Sequence, residues 1–150
     1  MPTSRTEAQA GFTLLELLVV LVMLALTATA VVSVGRTSLE SARVRSFLVE
    51  AEAMFRDART AAIEKQSPTA VVIDAKGRRL SFPDAGRALE LPRGLSLDAK
   101  VAVPDDGSLP SIRFFPSGGS TGGQLSFGFR GRNYDLRINW LTGRADAQAL

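Results

Sequence analysis

The chain of 150 residues contains no cysteine and no histidine. The absence of cysteine excludes disulfide bonds, thiol nucleophiles and thiolate metal sites. The absence of histidine excludes Ser-His-Asp and Cys-His catalysis and the commonest zinc ligand. The net charge is +3, and lysine contributes only Lys65, Lys76 and Lys100 to it. No pattern places one of these lysines beside a serine as a catalytic base, so we expect no enzymatic activity, no metal and no cofactor.

Charge is scarce between Phe12 and Val34, where Glu16 is the one charged residue. A helix of this length crosses the roughly 30 Å hydrocarbon core of a bilayer. The run is too long for the apolar core of a secretory signal, and no small-residue cleavage site follows it. A carboxylate inside such a helix costs about 2.5 kcal/mol or more and usually has a partner. The run therefore predicts a membrane anchor in which Glu16 has a further role.

The residues around Glu16 indicate that role. Gly11-Phe12-Thr13-Leu14-Leu15-Glu16, followed by the apolar run, resembles the class III signal of type IV pilins and pseudopilins. The resemblance implies that a prepilin peptidase cuts between Gly11 and Phe12 and methylates the new amino group of Phe12. It also implies that Glu16 is needed for assembly, where it would pair with the processed amine of a neighbouring subunit. The alternative is an ordinary single-pass anchor.

The composition, together with the resemblance to pilins and pseudopilins, divides the chain into four segments. We expect a cleaved leader at 1–11, the transmembrane half of a long helix at 12–34, its periplasmic amphipathic half at 35–66, and a β domain at 67–150. Arginines follow the anchor rather than precede it, so charge alone does not set the orientation. The resemblance places the leader in the cytoplasm, the single span in the bacterial inner membrane and the C-terminal domain in the periplasm.

The amphipathic half of the helix has a clear apolar face. Apolar residues recur every three or four positions, at Val44, Leu48, Ala51, Phe55, Ala58 and Ala62, and Phe47 and Met54 widen this face. Ser67-Pro68 ends the helix, because the residue before proline disfavours the helical region.

Short alternating runs after residue 67 predict an antiparallel sheet, or two small ones, with one face on the helix. The predicted fold class is therefore α+β, a long N-terminal helix packed on a small antiparallel β domain, as in the type IV pilin-like fold. Strands are expected at 70–74, 78–82, 95–103, 112–115, 125–129 and 134–140, with a last one after Gly143. Residues 83–94 are expected to form a loop, since prolines and glycines interrupt them, and 104–107 a turn.

Two C-terminal stretches narrow the resemblance. Residues 114–123, Phe-Phe-Pro-Ser-Gly-Gly-Ser-Thr-Gly-Gly, and 140–144, Trp-Leu-Thr-Gly-Arg, are similar to stretches in H-type minor pseudopilins of the type II secretion system and in related minor type IV pilins. The resemblance implies a structural subunit at the tip of a periplasmic filament that helps export folded proteins across the outer membrane. The implied partners are the prepilin peptidase, other major and minor pseudopilins and the inner-membrane assembly platform.

A minor type IV pilin that assists pilus assembly or DNA uptake is the alternative function. The basic residues that could contact DNA are Arg130, Arg132, Arg137 and Arg144. Some related minor pilins bind DNA through arginines near the C-terminal end, but this chain has none after Arg144. We therefore do not expect nucleic acid as a partner. A membrane-anchored enzyme is a third class, disfavoured by the missing histidine and cysteine.

Two further patterns have a structural interpretation. The glycines of 118–123 lack the lysine and the following helix of a phosphate-binding loop, so we expect a conformational loop on the filament surface. Asp105-Asp106 could bind calcium, but a proline and a glycine flank the pair and favour a turn.

Overall fold

A long helix followed by β-strands makes up the part of the chain that the structure describes. The computed structural model describes residues 13–102 and 107–149, with the backbone alone for residues 28–38 and 149. Helix α1 extends from Leu14 to Glu64. The chain divides after Leu39 into two compact units, and α1 contributes to both.

Helix α1 ends where the sequence changes from helix formers to breakers. Gln66 adopts the left-handed conformation with φ 50°, and its side-chain amide donates to the Ile63 carbonyl at 2.7 Å. Pro68 then prevents a return to helical geometry in the residue before it. The predicted helix of residues 12–66 is thus confirmed to within two residues at each end.

The second unit contains two four-stranded antiparallel sheets. One has the order β3-β2-β1-β5 and the other the order β4-β6-β7-β8. Their strands are β1 Thr69–Asp74, β2 Arg79–Phe82, β3 Arg87–Glu90, β4 Ser96–Lys100, β5 Ser111–Phe114, β6 Gly123–Phe129, β7 Arg132–Ile138 and β8 Ala145–Ala149. A short 3-10 helix, Pro83–Ala85, lies between β2 and β3.

The core lies between the second half of α1 and both sheets. Its buried helical residues are Val44, Phe47, Ala51, Met54, Phe55, Ala58 and Ala62. Phe47 contacts Phe127 of β6 edge to face, with ring centroids 5.7 Å apart. Phe55 contacts Phe114 of β5 with centroids 6.4 Å apart. The α+β fold class and the predicted apolar face are confirmed, with Leu48 half-buried at its margin.

Three sequence predictions about the β domain are wrong. Residues 83–94 are not a loop, because Gly86 reverses the chain with φ 61° and lets β3 pair with β2. Strand β7 ends at Ile138, so Trp140 lies outside it and is 67% exposed. Strand β4 ends at Lys100 rather than at 103. Most of the predicted turn at 104–107 lies outside the described residues.

Candidate assembly segment and the junction at Arg59

The first described residues form the start of α1. The Thr13 hydroxyl accepts a hydrogen bond from the N–H of Glu16 at 3.2 Å. The Thr13 carbonyl accepts from the N–H groups of Glu16 and Leu17 at 3.0 and 3.2 Å. Thr13 is therefore the N-cap, and Glu16 is the third residue of the first turn, where a carboxylate interacts favourably with the helix dipole. Thr-x-x-Glu is the pattern of a capping box, a local role that our sequence analysis missed.

Glu16 and the apolar residues around it are exposed in this chain. The exposed fraction of the large apolar side chains from Leu14 to Leu26 ranges from 43% to 86%. Helices that are apolar on every side are normally covered by lipid or by other helices. Within residues 13–102 and 107–149, no helix combines the length and the hydropathy that a bilayer crossing requires. Gly11 and Phe12 lie outside the described residues, so the processing site and the membrane span at 12–34 stay predictions.

Arg59 joins the end of α1 to both C-terminal motifs. Its Nε donates to the Gly118 carbonyl at 3.1 Å and to the Thr142 carbonyl at 2.8 Å. Gly118 belongs to the glycine-rich loop and Thr142 to the turn after β7. We call Arg59, the loop 115–122 and the turn 139–144 the Arg59 junction. The two stretches that looked like family motifs in the sequence therefore meet at one side chain.

Close backbone approach explains two of the glycines in this junction. A Cβ on Gly143 would lie 2.3 Å from the Gly118 carbonyl oxygen and 3.0 Å from Cδ of Arg59. A Cβ on Gly118 would lie 3.1 Å from a terminal nitrogen of Arg59. Both glycines have positive φ, 87° at Gly118 and 62° at Gly143, which other residues adopt only at a cost. Glycine is therefore required at these two positions by the close packing of the loop and the turn around Arg59.

The turn 139–144 is held by its own hydrogen bonds. The Asn139 side chain accepts from the N–H of Leu141 at 2.9 Å and from that of Thr142 at 3.0 Å. The N–H of Ser120 donates to the Trp140 carbonyl at 2.8 Å, which ties the turn to the glycine-rich loop. Gly118, Ser120 and Gly122 are buried. The positive φ of Gly118 and Gly122 confirms the expected conformational loop, which packs on the helix end and on the turn. Its place on a filament surface stays a prediction.

Arg130 lies at the tip of the β6–β7 hairpin. Phe129 pairs with Arg132, so residues 130 and 131 form a two-residue turn with φ 49° and 77°. This turn favours Asn, Asp or Gly at its first position, and an arginine there costs about 1 kcal/mol. The guanidinium donates to the Glu40 carboxylate at 2.6 Å and lies 5.3 Å from the centroid of the Phe129 ring.

The four arginines predicted as a possible DNA surface lie on three separate parts of the second unit. Arg130 and Arg132 line a groove with Arg45 of α1. Arg137 points away from the core on the face of the β4-β6-β7-β8 sheet. Arg144 lies near the end of α1, in the Arg59 junction. The structure therefore brings two of the four together and adds Arg45, which our sequence analysis did not include.

A buried carboxylate in β7 also escaped the sequence analysis. Asp135 is 7% exposed, although it lies on the polar face of its strand. Its two carboxylate oxygens accept hydrogen bonds from Gln124 and Ser126 of β6, each at 2.8 Å. Ser126 is the direct cross-strand neighbour of Asp135. The polar residues that alternate along β6 and β7 were visible in the sequence. The register that pairs Ser126 with Asp135 could not be predicted from it.

The described residues give no support for a metal site. Within the ranges 13–102 and 107–149, no three acidic or metal-binding side chains lie close enough together to hold an ion. Asp105 and Asp106, the calcium candidates, lie outside these ranges.

Two segments of the chain match known protein families. Residues 50–143, which include all of the Arg59 junction except Arg144, match the family described as Type II transport protein GspH. This chain belongs to the GspH family. Residues 8–32 match the prokaryotic N-terminal methylation motif, which includes the predicted processing site and Glu16. The GspH-family match covers the last fifteen residues of α1 and the strands β1 to β7.

Individual relatives agree with the GspH family. The Type II secretion system protein H of Xanthomonas campestris pv. campestris is 30% identical over 135 residues, which cover 89% of this chain and 79% of that protein. The type IV minor pilin FimU of Pseudomonas aeruginosa is 17% identical, with a TM-score of 0.56 over 74% of this chain and 95% of that one. This likeness supports the pilin-like fold. The minor pseudopilin EpsH of Vibrio cholerae is 21% identical over 68% of this chain and 94% of that one, with a TM-score of 0.49.

Proposed function

We propose that this chain is a minor pseudopilin, a structural subunit of the type II secretion pseudopilus that helps export folded proteins across the outer membrane. The observation that carries the proposal is the order of two segments along the chain. An N-terminal methylation motif at 8–32 precedes a domain at 50–143 that matches the GspH family. The chain would act by assembly and contact and would catalyse no reaction itself.

In this proposal, the subunit is first processed and anchored at the inner membrane. A prepilin peptidase cuts between Gly11 and Phe12 and methylates the amine of Phe12. Residues 12–34 cross the inner membrane once, and the β domain lies in the periplasm. The apolar and exposed start of α1 supports this part of the proposal, because such a surface needs cover from lipid before assembly and from neighbouring helices afterwards. The inner-membrane assembly platform and the other pseudopilins would be its contacts there.

Glu16 has two candidate roles that an experiment can separate. It supports the first turn of its own helix, and it would neutralise the processed amine of a neighbouring subunit during assembly. Glu16→Ala removes both roles, whereas Thr13→Ala removes the capping hydroxyl and keeps the carboxylate. We expect Glu16→Ala to be processed but absent from complexes with other pseudopilins, and Thr13→Ala to be processed and incorporated. Equal loss in both variants would favour local capping and contradict the pairing between subunits.

Deletion of the gene tests the function. We expect an enzyme that normally reaches the culture medium to accumulate in the periplasm of the deletion strain. Complementation with the unchanged gene should restore export, and complementation with a variant carrying a bulky residue in place of Gly11 should not. Unchanged export after deletion would contradict the proposed function.

A minor type IV pilin that contacts DNA is the second candidate. The observation in its favour is the groove where Arg45, Arg130 and Arg132 lie together with Tyr134. If this groove binds phosphates, the affinity of the full chain for duplex DNA falls with rising salt, and Arg132→Ala reduces the slope of that dependence. Binding that is absent at low salt would exclude this candidate.

A further inference from the structure

A basic groove lies between the first helical residues of the second unit and the β6–β7 hairpin. Its volume is about 700 Å³, and its charged lining residues are Arg45, Arg130 and Arg132. Phe129 and Tyr134 are the aromatic residues beside them. Its described lining includes no acidic residue. We call this cavity the basic groove, and its composition indicates a site for an anion.

Two of the three arginines in the basic groove have no carboxylate of their own. Arg130 donates to Glu40 at 2.6 Å, so its charge is compensated. Arg45 and Arg132 are exposed, and within residues 13–102 and 107–149 neither forms an ion pair. An arginine presents five donors in a planar fork that matches the oxygens of a phosphate. The groove therefore keeps two positive charges available to a ligand.

Two acidic residues lie with Arg45 in a neighbouring pocket, and both have other partners. Glu52 pairs with Arg56 at 3.5 Å. Asp135 accepts hydrogen bonds from two neutral side chains and lies 3.9 Å from a terminal nitrogen of Arg137. The described acidic residues therefore leave the charge of Arg45 uncancelled.

Contacts within the chain form the basic groove before a ligand arrives. Arg130, at the tip of the hairpin, donates to Glu40 and lies 5.3 Å from the centroid of the Phe129 ring. These contacts hold the hairpin against α1 and so fix the strand that begins at Arg132. Preorganisation of this kind lowers the entropy cost of binding. Arg130 is therefore a positioning residue, which gives its left-handed backbone conformation a function.

The basic groove follows shortly after the predicted membrane span along the chain. Helix α1 is continuous from Leu14 to Glu64, and Ser41, the first residue of the groove, comes seven residues after residue 34. At 1.5 Å per residue this interval is about 10 Å of helix, whereas the headgroup layer extends about 5–8 Å beyond the hydrocarbon core. The Cα–Cβ bond of a helical residue such as Arg45 tilts toward the helix N-terminus, where the span lies. Arginine and tyrosine commonly anchor a chain at this level of a membrane.

We propose that the basic groove binds the phosphate of an anionic phospholipid in the periplasmic leaflet of the inner membrane. Arg45 and Arg132 donate hydrogen bonds to the phosphate oxygens, and Tyr134 packs beside the headgroup. The contact fixes the height and the rotation of the β domain above the bilayer before the subunit is assembled. The inference deepens the proposed function and rests on it for the membrane span at 12–34.

A phospholipid fits the basic groove better than duplex DNA does. A protein that binds DNA through its backbone commonly neutralises about 6–10 phosphates. The groove offers two uncompensated arginines, and Arg137 and Arg144 lie on other parts of the unit. Two arginines suit a single headgroup.

Native mass spectrometry of the purified full chain in detergent tests the site. The chain is mixed with equal amounts of phosphatidylglycerol and phosphatidylethanolamine that carry the same acyl chains. We expect about tenfold more adducts with phosphatidylglycerol, since each arginine near a membrane surface favours an anionic lipid. Arg45→Gln combined with Arg132→Gln should abolish this preference. Arg93→Gln combined with Arg113→Gln removes the same charge from exposed sites outside the groove and should keep it.

Each other outcome overturns the inference. Equal binding of the two lipids by the unchanged chain would exclude a site for an anionic lipid. A preference that survives in the groove variant would assign the lipid to another surface, and one lost equally in both double variants would assign it to the net charge of the chain. Displacement of the lipid by inorganic phosphate at the same concentration would assign the groove to a free anion, and displacement by a short DNA duplex would assign it to DNA.

Two further measurements separate the inference from folding and from secretion. Both double variants should keep the melting temperature of the unchanged chain, because the four side chains are exposed. Lipid preference is measured on the purified chain, whereas export of a secreted enzyme is measured in cells. A failed lipid site can therefore be distinguished from a failed secretion role.

Discussion

Replacing Gly143 by alanine tests how tightly the Arg59 junction is packed. Gly143 has φ 62°, a conformation that costs a residue with a Cβ about 1 kcal/mol. The added Cβ would also lie 2.3 Å from the Gly118 carbonyl oxygen. Real Cβ contacts essentially never fall under 3.0 Å, so the loop and the turn would have to move apart. Since Arg59 Nε donates to both segments, this movement would break at least one charge-assisted hydrogen bond, worth about 1.5–3 kcal/mol.

Gly86 provides a matched control for the backbone cost. Its φ is 61°, and an added Cβ would meet nothing within 4 Å. We therefore expect Gly86→Ala to lower the free energy of unfolding by about 1 kcal/mol and Gly143→Ala to lower it by roughly 2.5–4 kcal/mol.

Thermal unfolding of the full chain in detergent, followed by circular dichroism, measures both variants. With roughly 4 °C per kcal/mol for a chain of this size, the two melting temperatures should differ by about 6–12 °C. Equal shifts in the two variants would refute the claim that the junction is closely packed.

Three further substitutions and one control substitution can be followed in the same assay. Arg59→Ala should lower the free energy of unfolding by about 2–3 kcal/mol, whereas Arg56→Ala, which removes an exposed arginine from the same helix, should change it by at most about 0.5 kcal/mol. Arg130→Gly should leave the melting temperature nearly unchanged, because relief of the left-handed strain offsets the loss of the exposed ion pair with Glu40; a loss above about 2 kcal/mol would contradict this balance. Asp135→Ala should cost roughly 1–3 kcal/mol by removing the carboxylate that accepts from Gln124 and Ser126, and an unchanged melting point would show that water replaces the carboxylate.

The elements with a strong hydrophobic period were predictable from the sequence. The buried face of α1 follows from apolar steps of three and four residues, and the β1–β2 hairpin follows from two short strand-like runs on either side of the turn 74–77. In both cases the signal is local, because the spacing of apolar residues along one segment shows which face of the helix or strand is buried. The capping pattern at the start of the helix is also present in the sequence, as Thr13 and Glu16.

The features that the sequence did not reveal depend on distant partners. Strand β3 is short and mostly exposed, so its pairing with β2 is set by the reversal at Gly86 rather than by a hydrophobic pattern. The contacts of Arg59 join residues 59 and 83 positions away along the chain. The burial of Asp135 depends on the register between β6 and β7. Propensity and periodicity carry no information about such pairs, which the tertiary fold alone brings together.

The Arg59 junction has a consequence for where this domain can fold. The last described strand, β8, follows directly after the turn 139–144, which a hydrogen bond from Arg59 and close packing around Gly143 attach to the helix. Because the chain has no cysteine, no oxidant and no disulfide isomerase is needed to fasten this C-terminal end. The folding of the described domain therefore does not depend on the redox state of its surroundings.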